Sequence, residues 1–149
     1  MNSLWMDAYE PESSHTPLNG NIDTDTAIVG GGLAGILCAH FLKERGVDCV
    51  VVEARQVGTG VTCNTTAKIT AQHGLAYSQI EKRCGFPAAK AYLEANQEAV
   101  EAYRLLSRSI PCDFEEKTAY VYSKSDRRKL KEETALYRRM GVEPVFLRH

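Results

Sequence analysis

A glycine-rich turn and one acidic residue carry the strongest chemical signal in this sequence. Residues 30–35 read Gly-Gly-Gly-Leu-Ala-Gly and satisfy the pattern G-x-G-x-x-G. In this pattern Gly30 permits a tight turn, Gly32 lets the backbone approach a diphosphate, and Gly35 lets a helix pack closely on a sheet. Glu53 follows 18 positions after Gly35 and 21 after Gly32, near the expected spacing of about 20 residues for a carboxylate that binds a ribose. The combination predicts a dinucleotide site, and Glu53 disfavours the 2′-phosphate of NADP.

The elements that must position this turn form a predicted βαβ unit. Residues 26–30 are a short apolar run that predicts a buried strand. Helical spacing continues over residues 33–45, and Gly46 suits the position after a helix, where a positive φ costs little. Residues 48–53 are rich in β-branched side chains and predict a second buried strand, parallel to the first through a right-handed crossover. This order indicates an α/β, Rossmann-like nucleotide-binding domain.

The whole chain divides into three predicted regions. Residues 1–24 show no period and predict an irregular arm, whereas residues 25–85 hold the nucleotide-binding unit, its loop and a short helix. Residues 86–149 begin with a long helix, followed by a half-buried strand at 119–123 and a helix capped by Ser125. The face of the long helix that is expected to be buried consists of Ala88, Ala91, Tyr92, Ala95, Ala99, Tyr103 and Leu106.

Composition and charge exclude several classes of protein. The 149 residues are 44% hydrophobic and 25% charged with a net charge of −1, which is typical of a globular domain and not of a polyanion-binding protein. The first 42 residues contain five acidic residues and no Lys or Arg, so a secretory signal is not expected. The apolar run 27–42 is interrupted by glycines and is shorter than the roughly 18 residues of a membrane span. We therefore expect a cytoplasmic protein without a membrane segment.

The remaining reactive side chains favour structural roles. Five cysteines without a C-x-x-C pair predict reduced thiols, with Cys38 and Cys49 buried, and four histidines without a cluster predict no metal site. The basic run 124–131 is followed at once by two glutamates, so it predicts a solvated helix face and no nucleic-acid partner. His73 is expected to be a hydrogen-bonded structural histidine.

Three segments carry a resemblance to a known family. Residues 27–35 read Ala-Ile-Val-Gly-Gly-Gly-Leu-Ala-Gly, residues 51–55 read Val-Val-Glu-Ala-Arg, and residues 60–68 read Gly-Val-Thr-Cys-Asn-Thr-Thr-Ala-Lys. They resemble the D-amino-acid-oxidase-like, FAD-dependent oxidoreductases. Through residues 66–74 and an opening like residues 3–5, the chain is most similar to a bacterial subgroup that often carries a C-terminal Rieske iron–sulfur domain.

The resemblance implies a set of FAD contacts. The glycine turn with the amides of Leu33 and Ala34 would hold the pyrophosphate, and Glu53 would bind the adenosine ribose. The residues after Glu53 would lie beside the adenine, and a threonine-rich loop would line the path towards the flavin. The implied cofactor-binding residues are Gly30, Gly31, Gly32, Leu33, Ala34, Gly35, Glu53, Ala54, Arg55, Thr62, Thr65, Thr66 and Ala67. Asn64 stands where many members have a His, which in some relatives attaches the flavin covalently, so non-covalent FAD is expected.

The resemblance also implies a function for a longer protein. The intact enzyme would oxidise an amine or amino acid by hydride transfer to FAD, with a parallel sheet covered by helices on both faces. This chain would supply the ADP half of the FAD site and the beginning of a substrate domain, so by itself it is expected to be inactive, and its catalytic residues remain unassigned. A Rieske 2Fe-2S cluster is expected only in a longer parent chain, because the sequence lacks the pair of Cys-x-His and Cys-x-x-His motifs.

Other functional interpretations of the same residues stay open. The turn could belong to a non-catalytic dinucleotide-binding module or subunit, to a fragment of an NAD-dependent dehydrogenase, or to a flavin enzyme that does not act on amines. An incomplete sheet with an open edge can also pair with a second copy of the chain, which would give a homo-oligomer.

Overall fold

Two short parallel strands and the helix between them form the first part of the structure. The computed structural model describes residues 15–147, in which β1 spans Thr26–Val29, α1 spans Leu33–Glu44 and β2 spans Cys49–Val52. The four residues of β1 pair in order with the four residues of β2, and α1 packs against both strands. The predicted βαβ unit is therefore confirmed. Residues 15–24 contain neither helix nor strand, and the rest of the predicted arm lies outside the described residues.

The end of α1 follows the sequence prediction. Gly46 adopts a φ of +72°, and its amide donates to the carbonyl oxygen of Lys43 at 3.0 Å. A side chain at this φ would be strained, whereas glycine is not. The chain can consequently reverse within a few residues and enter β2.

The two strands are less buried than the sequence predicts. Val29 is 89% exposed and Val52 is also exposed, although both were expected in a buried strand. The reason is that the described chain adds only two strands and α1 to this sheet, which leaves one face and both edges without a covering layer. The expected sheet with helices on both faces is thus represented here by its first βαβ unit alone.

Three helices form the second part of the structure. They are α2 (Ala76–Cys84), α3 (Phe86–Ser107) and α4 (Arg127–Arg139), and α2 packs against the other two. Because of this packing, the chain divides into compact units between Lys68 and Ile69. The domain boundary that the sequence predicts after residue 85 stays a prediction.

The core of the second unit is built around two tyrosines. Tyr77 of α2 and Tyr137 of α4 lie 5.0 Å apart between ring centroids, and Leu93 of α3 is buried with them. The predicted buried face of α3 is therefore wrong in part, because Tyr92 and three of its alanines (Ala91, Ala95 and Ala99) are exposed. Burial of one leucine removes more apolar surface from water than burial of an alanine, so the helix turns its Leu93 face inward.

A carboxylate from α4 caps the start of α2. Glu133 is only 4% exposed, and it accepts hydrogen bonds from the amides of Tyr77 and Ser78 at 3.0 and 2.9 Å and from the Ser78 hydroxyl. The first amides of a helix have no acceptor within the helix, and α2 has no side-chain cap of its own. Glu133 supplies the missing acceptors from a distant part of the chain.

Two local predictions for the end of the chain are wrong. Asp126, and not Ser125, caps α4 by accepting from the Lys129 amide at 3.1 Å. Residues 119–123 pair with no strand in the described chain, and Tyr120 and Tyr122 are 68% and 82% exposed. An alternating pattern forms a strand only where a neighbouring strand completes its hydrogen bonds.

Glu133→Gln is expected to lower the free energy of unfolding by about 1–3 kcal/mol. The substitution would turn one acceptor oxygen of a buried carboxylate into an NH2 group that faces other donors. Urea denaturation followed by tyrosine fluorescence measures the loss. Glu132→Gln is the matched control, because Glu132 is exposed and only makes a 3.6 Å ion pair with Arg128. Equal losses in the two variants would contradict the capping role.

Candidate functional site

The glycine turn has the geometry that its three motif glycines predict. Gly30 adopts a φ of +106°, and its amide donates to the carbonyl oxygen of Val52 at 2.8 Å. A Cβ atom at Gly35 would lie 2.0 Å from the carbonyl oxygen of Gly30, a distance that no packing can accommodate. These contacts bring the first turn of α1 against the end of β1, so only glycine fits at position 35.

Glu53 connects the end of β2 to the glycine turn. Its Oε2 accepts from the Gly31 amide at 2.8 Å, and its Oε1 accepts from the Arg55 amide at 2.9 Å. These backbone hydrogen bonds, with that to Gly31 the larger, lower the pKa of Glu53 below its ordinary value. The side chain is consequently an ionised carboxylate beside the turn at neutral pH.

The start of α1 presents backbone amides without a side-chain cap from the helix itself. Its N-cap residue is Gly32, and the first turn contains no acidic residue. The Leu33 amide donates to Oγ1 of Thr62 at 3.0 Å, while the exposed Ala34 amide has no acceptor among residues 15–147. The helix dipole and these amides favour an anion at this point.

The threonine-rich loop folds onto the turn and includes a short 3₁₀ helix at Thr62–Asn64. The Gly58 amide donates to the carbonyl oxygen of Gly31 at 2.8 Å, and the Asn64 side-chain amide donates to that of Gly60 at 2.6 Å. Sequence reasoning missed Gly58 as an anchor of the site. The signal that could have found it is the glycine itself, which in the structure adopts a φ of +79°.

The structure brings some of the predicted site residues together and leaves others apart. Glu53 contacts the turn by accepting from the Gly31 amide, and Thr62 contacts it by accepting from the Leu33 amide. The other predicted residues outside the turn and α1 are exposed. Ala54 and Arg55 directly follow Glu53, and Thr65, Thr66 and Ala67 directly follow the 3₁₀ helix. The tertiary structure therefore concentrates the candidate site on the turn, the tip of β2 and Thr62.

The cysteines and histidines form no second site within the described residues. All five cysteines are free, and Cys38 is exposed, contrary to the expectation that it is buried. One half of the Rieske pattern does occur, at Cys38-Ala39-His40, but it lies in α1, and no group of three or more metal-binding side chains occurs between residues 15 and 147. His73 is confirmed as a hydrogen-bonded residue, since its Nδ1 lies 3.1 Å from the Tyr92 hydroxyl.

The chain matches a known family over most of its length. The family described as FAD dependent oxidoreductase, abbreviated DAO, matches residues 25–148. The chain belongs to this family. Membership identifies FAD as the cofactor and confirms the resemblance that the turn, Glu53 and the following loop indicated.

The chain is also similar to individual proteins of known name. A Bacillus subtilis (strain 168) protein named as a Rieske 2Fe-2S iron–sulfur protein, YhfW, is 36% identical over 134 residues, which cover 87% of this chain and 26% of the relative. The gamma-glutamylputrescine oxidoreductase of Escherichia coli (strain K12) is 31% identical over 99 residues, 65% of this chain and 23% of the relative. The thiamine thiazole synthase of Methanoculleus marisnigri is 29% identical over 92 residues, 54% of this chain and 35% of the relative.

The matches cover only part of each relative. The chain spans about a quarter of the length of the first two and about a third of the third. No solved structure was found that matches the chain. Among the described residues, none of the helices is both long and apolar enough to cross a membrane.

Gly35→Ala is expected to destabilise the first unit by about 3 kcal/mol, because the new methyl group would collide with backbone and not with a flexible side chain. Gly32→Ala is the matched control, since its Cβ would lie 3.3 Å from the Thr62 hydroxyl oxygen, which can shift slightly. Its expected cost is about 1 kcal/mol. Chemical denaturation of both variants tests the difference, and a Gly35→Ala variant as stable as Gly32→Ala would show that the contact is not a constraint.

The hydrogen bond between Glu53 and the turn is expected to make the free energy of unfolding depend on pH. The pKa of Glu53 is lower in the folded state than the ordinary value of 4.5, so its stabilisation is complete above that value and is lost as the pH falls through the folded pKa. Glu53→Gln should therefore be less stable than the wild type at pH 7, and the gap should narrow below pH 4.5.

Denaturation curves at neutral and acidic pH measure this gap. Glu98→Gln, at an exposed position on α3, is the control and should show no such narrowing. A gap that is constant with pH would mean that the ionised carboxylate does not stabilise the turn.

Proposed function

We propose that this chain is the FAD-binding N-terminal part of an oxidoreductase that oxidises an amine or amino acid. One observation carries the proposal: in a chain of the FAD-dependent family, a helix start with an unpaired Ala34 amide in the described chain lies next to an ionised carboxylate that follows the neighbouring strand. This pairing suits a ligand with a diphosphate and a ribose with two free hydroxyls, and FAD contains both in its ADP half.

The glycine turn and the start of α1 would hold the diphosphate of FAD. The absence of a Cβ at Gly32 supports this role, because any side chain there would enter the space beside the Thr62 hydroxyl and the first amides. The exposed Ala34 amide, which has no acceptor within the described chain, would donate to a phosphate oxygen. The positive end of the helix dipole adds to the attraction.

Glu53 would bind the adenosine ribose while it keeps its bonds to the turn. A carboxylate has about four lone-pair positions, and the amides of Gly31 and Arg55 occupy one on each oxygen. The remaining positions can accept from the ribose hydroxyls. Ala54 and Arg55, which are exposed directly after Glu53, would lie beside the adenine.

The loop beyond the 3₁₀ helix would follow the cofactor towards its flavin. Thr65, Thr66 and Ala67 are exposed there, so their hydroxyls and backbone can reach a ligand. The Asn64 side chain bonds to the carbonyl oxygen of Gly60 and is not a nucleophile that could attach a flavin. The proposed FAD is therefore bound without a covalent link.

When bound, FAD supplies a two-electron acceptor for the hydride that leaves the carbon bearing the nitrogen. The amine class follows from the resemblance and is supported by the name of the Escherichia coli relative, gamma-glutamylputrescine oxidoreductase. A Rieske cluster that takes up the electrons is proposed only for a longer parent chain, as the name of the Bacillus subtilis relative suggests. The residues that contact substrate are not assigned to this chain, which by itself is expected to be inactive.

Binding of FAD to the purified chain tests the proposal. Gel filtration after incubation with FAD should give a protein peak with visible flavin absorption, and excess ADP should displace the flavin whereas riboflavin should not. Gly32→Ala is expected to weaken FAD binding by about tenfold or more, equivalent to roughly 1.4 kcal/mol, because its methyl group would stand where the diphosphate approaches. Retention of a nicotinamide nucleotide in place of FAD would instead favour a dehydrogenase.

A further inference from the structure

The exposed side of α4 carries more positive charge than the sequence alone suggests. The helix contains six basic residues and two glutamates. Both glutamates directly follow the basic run 124–131, but Glu133 is only 4% exposed and caps α2 from within the core. Among the residues of α4, Glu132 is therefore the one carboxylate that reaches the surface, so the exposed side of this helix has a clear excess of positive charge.

Three of these cations form a row along one side of α4. Arg127, Lys131 and Arg138 are spaced i, i+4 and i+11, which places them on the same side of a helix with 3.6 residues per turn. At a rise of 1.5 Å per residue the row is about 16 Å long. All three residues are exposed, and we call them the basic row. The intervening Thr134 and Ala135 are small, so a partner can approach the helix closely.

The basic row lacks close carboxylate partners within residues 15–147. Lys131 makes no ion pair in this part of the chain. Arg127 lies 5.9 Å from the ring centroid of Phe146, which leaves its charge without an anion. Arg138 approaches Glu143 only to 3.9 Å, and both side chains are more than half exposed. The row consequently keeps its positive charge.

Other cations of α4 are paired at short range. Lys129 lies 2.8 Å from Asp126, and Arg139 lies 2.9 Å from Glu81. These pairs show that carboxylates fit against this helix, and they offset the charge beside the basic row. The unpaired cations are therefore confined to one side of α4, where they remain available to an external partner.

An acidic protein fits the basic row better than a nucleic acid or a membrane does. The exposed residues of α4 include no aromatic side chain on which a base could stack, and Glu132 would repel a phosphate backbone. They also include no large apolar side chain that could enter a lipid bilayer. A second helix with acidic residues at the same spacing would instead place one carboxylate opposite each cation.

We propose that the basic row is a docking site for an acidic helix of a partner protein. Aspartate or glutamate side chains at i, i+4 and i+11 of that helix would pair with the three cations. Such a contact is electrostatic, so it favours rapid and transient association that weakens as salt is added. The proposal does not depend on the FAD site, because it uses residues of the second unit alone.

Two synthetic peptides test the docking site on the purified, ¹⁵N-labelled chain. Both are helical and have the same composition of glutamate, alanine and glutamine. The matched peptide carries its glutamates at the spacing of the basic row, whereas the control peptide distributes them around the helix. NMR titration measures the dissociation constants and locates the binding surface. We expect the matched peptide to shift the amide signals of α4, to bind at least about threefold more tightly than the control, and to bind roughly tenfold more weakly when salt is raised.

The triple variant Arg127→Gln, Lys131→Gln, Arg138→Gln is expected to bind the matched peptide roughly tenfold more weakly, because each exposed charge pair contributes about 1.4- to fivefold in affinity. The matched control is the triple variant Lys82→Gln, Arg83→Gln, Arg108→Gln. It also removes three exposed cations, but they lie outside α4. Its affinity should stay within about twofold of the wild type.

Several outcomes would overturn the docking site. They are equal affinities for the two peptides, an unchanged affinity in the variant of the basic row, equal losses in the two triple variants, and signal shifts confined to residues outside α4. Tighter binding of a single-stranded oligonucleotide, or of phosphatidylserine vesicles, would assign this side of α4 to another class of ligand. If the triple variant does not fold, Lys131→Glu takes its place, and it should weaken binding by about fivefold.

Discussion

The hydrogen bond between the Glu53 carboxylate and the Gly31 amide is the interaction on which the candidate site depends. It joins the residue after β2 to the turn after β1, so the two strand ends and the start of α1 are held as one unit. The second oxygen of the Glu53 carboxylate accepts a hydrogen bond from the Arg55 amide, which further fixes the side chain. Since these backbone bonds favour the ionised form and lower the pKa of Glu53, the turn is stabilised by a negative charge, and we propose that the same carboxylate binds a ribose.

A second constraint is the close contact between Gly35 and the carbonyl oxygen of Gly30. It brings the first turn of α1 onto the end of β1 and so determines where the helix amides point. A side chain at position 35 would push α1 away from the end of β1 and would move the positive end of the helix with it. The same glycines that give the turn its shape are therefore the ones that make the helix start suitable for an anion.

Both units of the chain use a distant carboxylate to satisfy backbone amides, with different consequences. In the second unit, Glu133 is buried and its acceptors are used by the start of α2 and by the Ser78 hydroxyl, which favours a structural role. In the first unit, Glu53 is half-buried and each of its oxygens accepts one close backbone hydrogen bond, so the carboxylate stays accessible to a ligand. Burial and the number of occupied acceptor positions thus separate a helix cap from a binding residue of the same type.

The sequence by itself determined the βαβ unit, the turn glycines and the role of Glu53 as a neighbour of the turn, because these depend on local spacing and on steric rules that hold in any context. Gly46 was predictable for the same reason. Only the tertiary structure decided which face of α3 is buried, that residues 119–123 lack a strand partner, that Glu133 caps α2 and that Thr62 stands before the Leu33 amide. Each of these depends on a partner that is remote in sequence, and no local pattern specifies which remote group will arrive there.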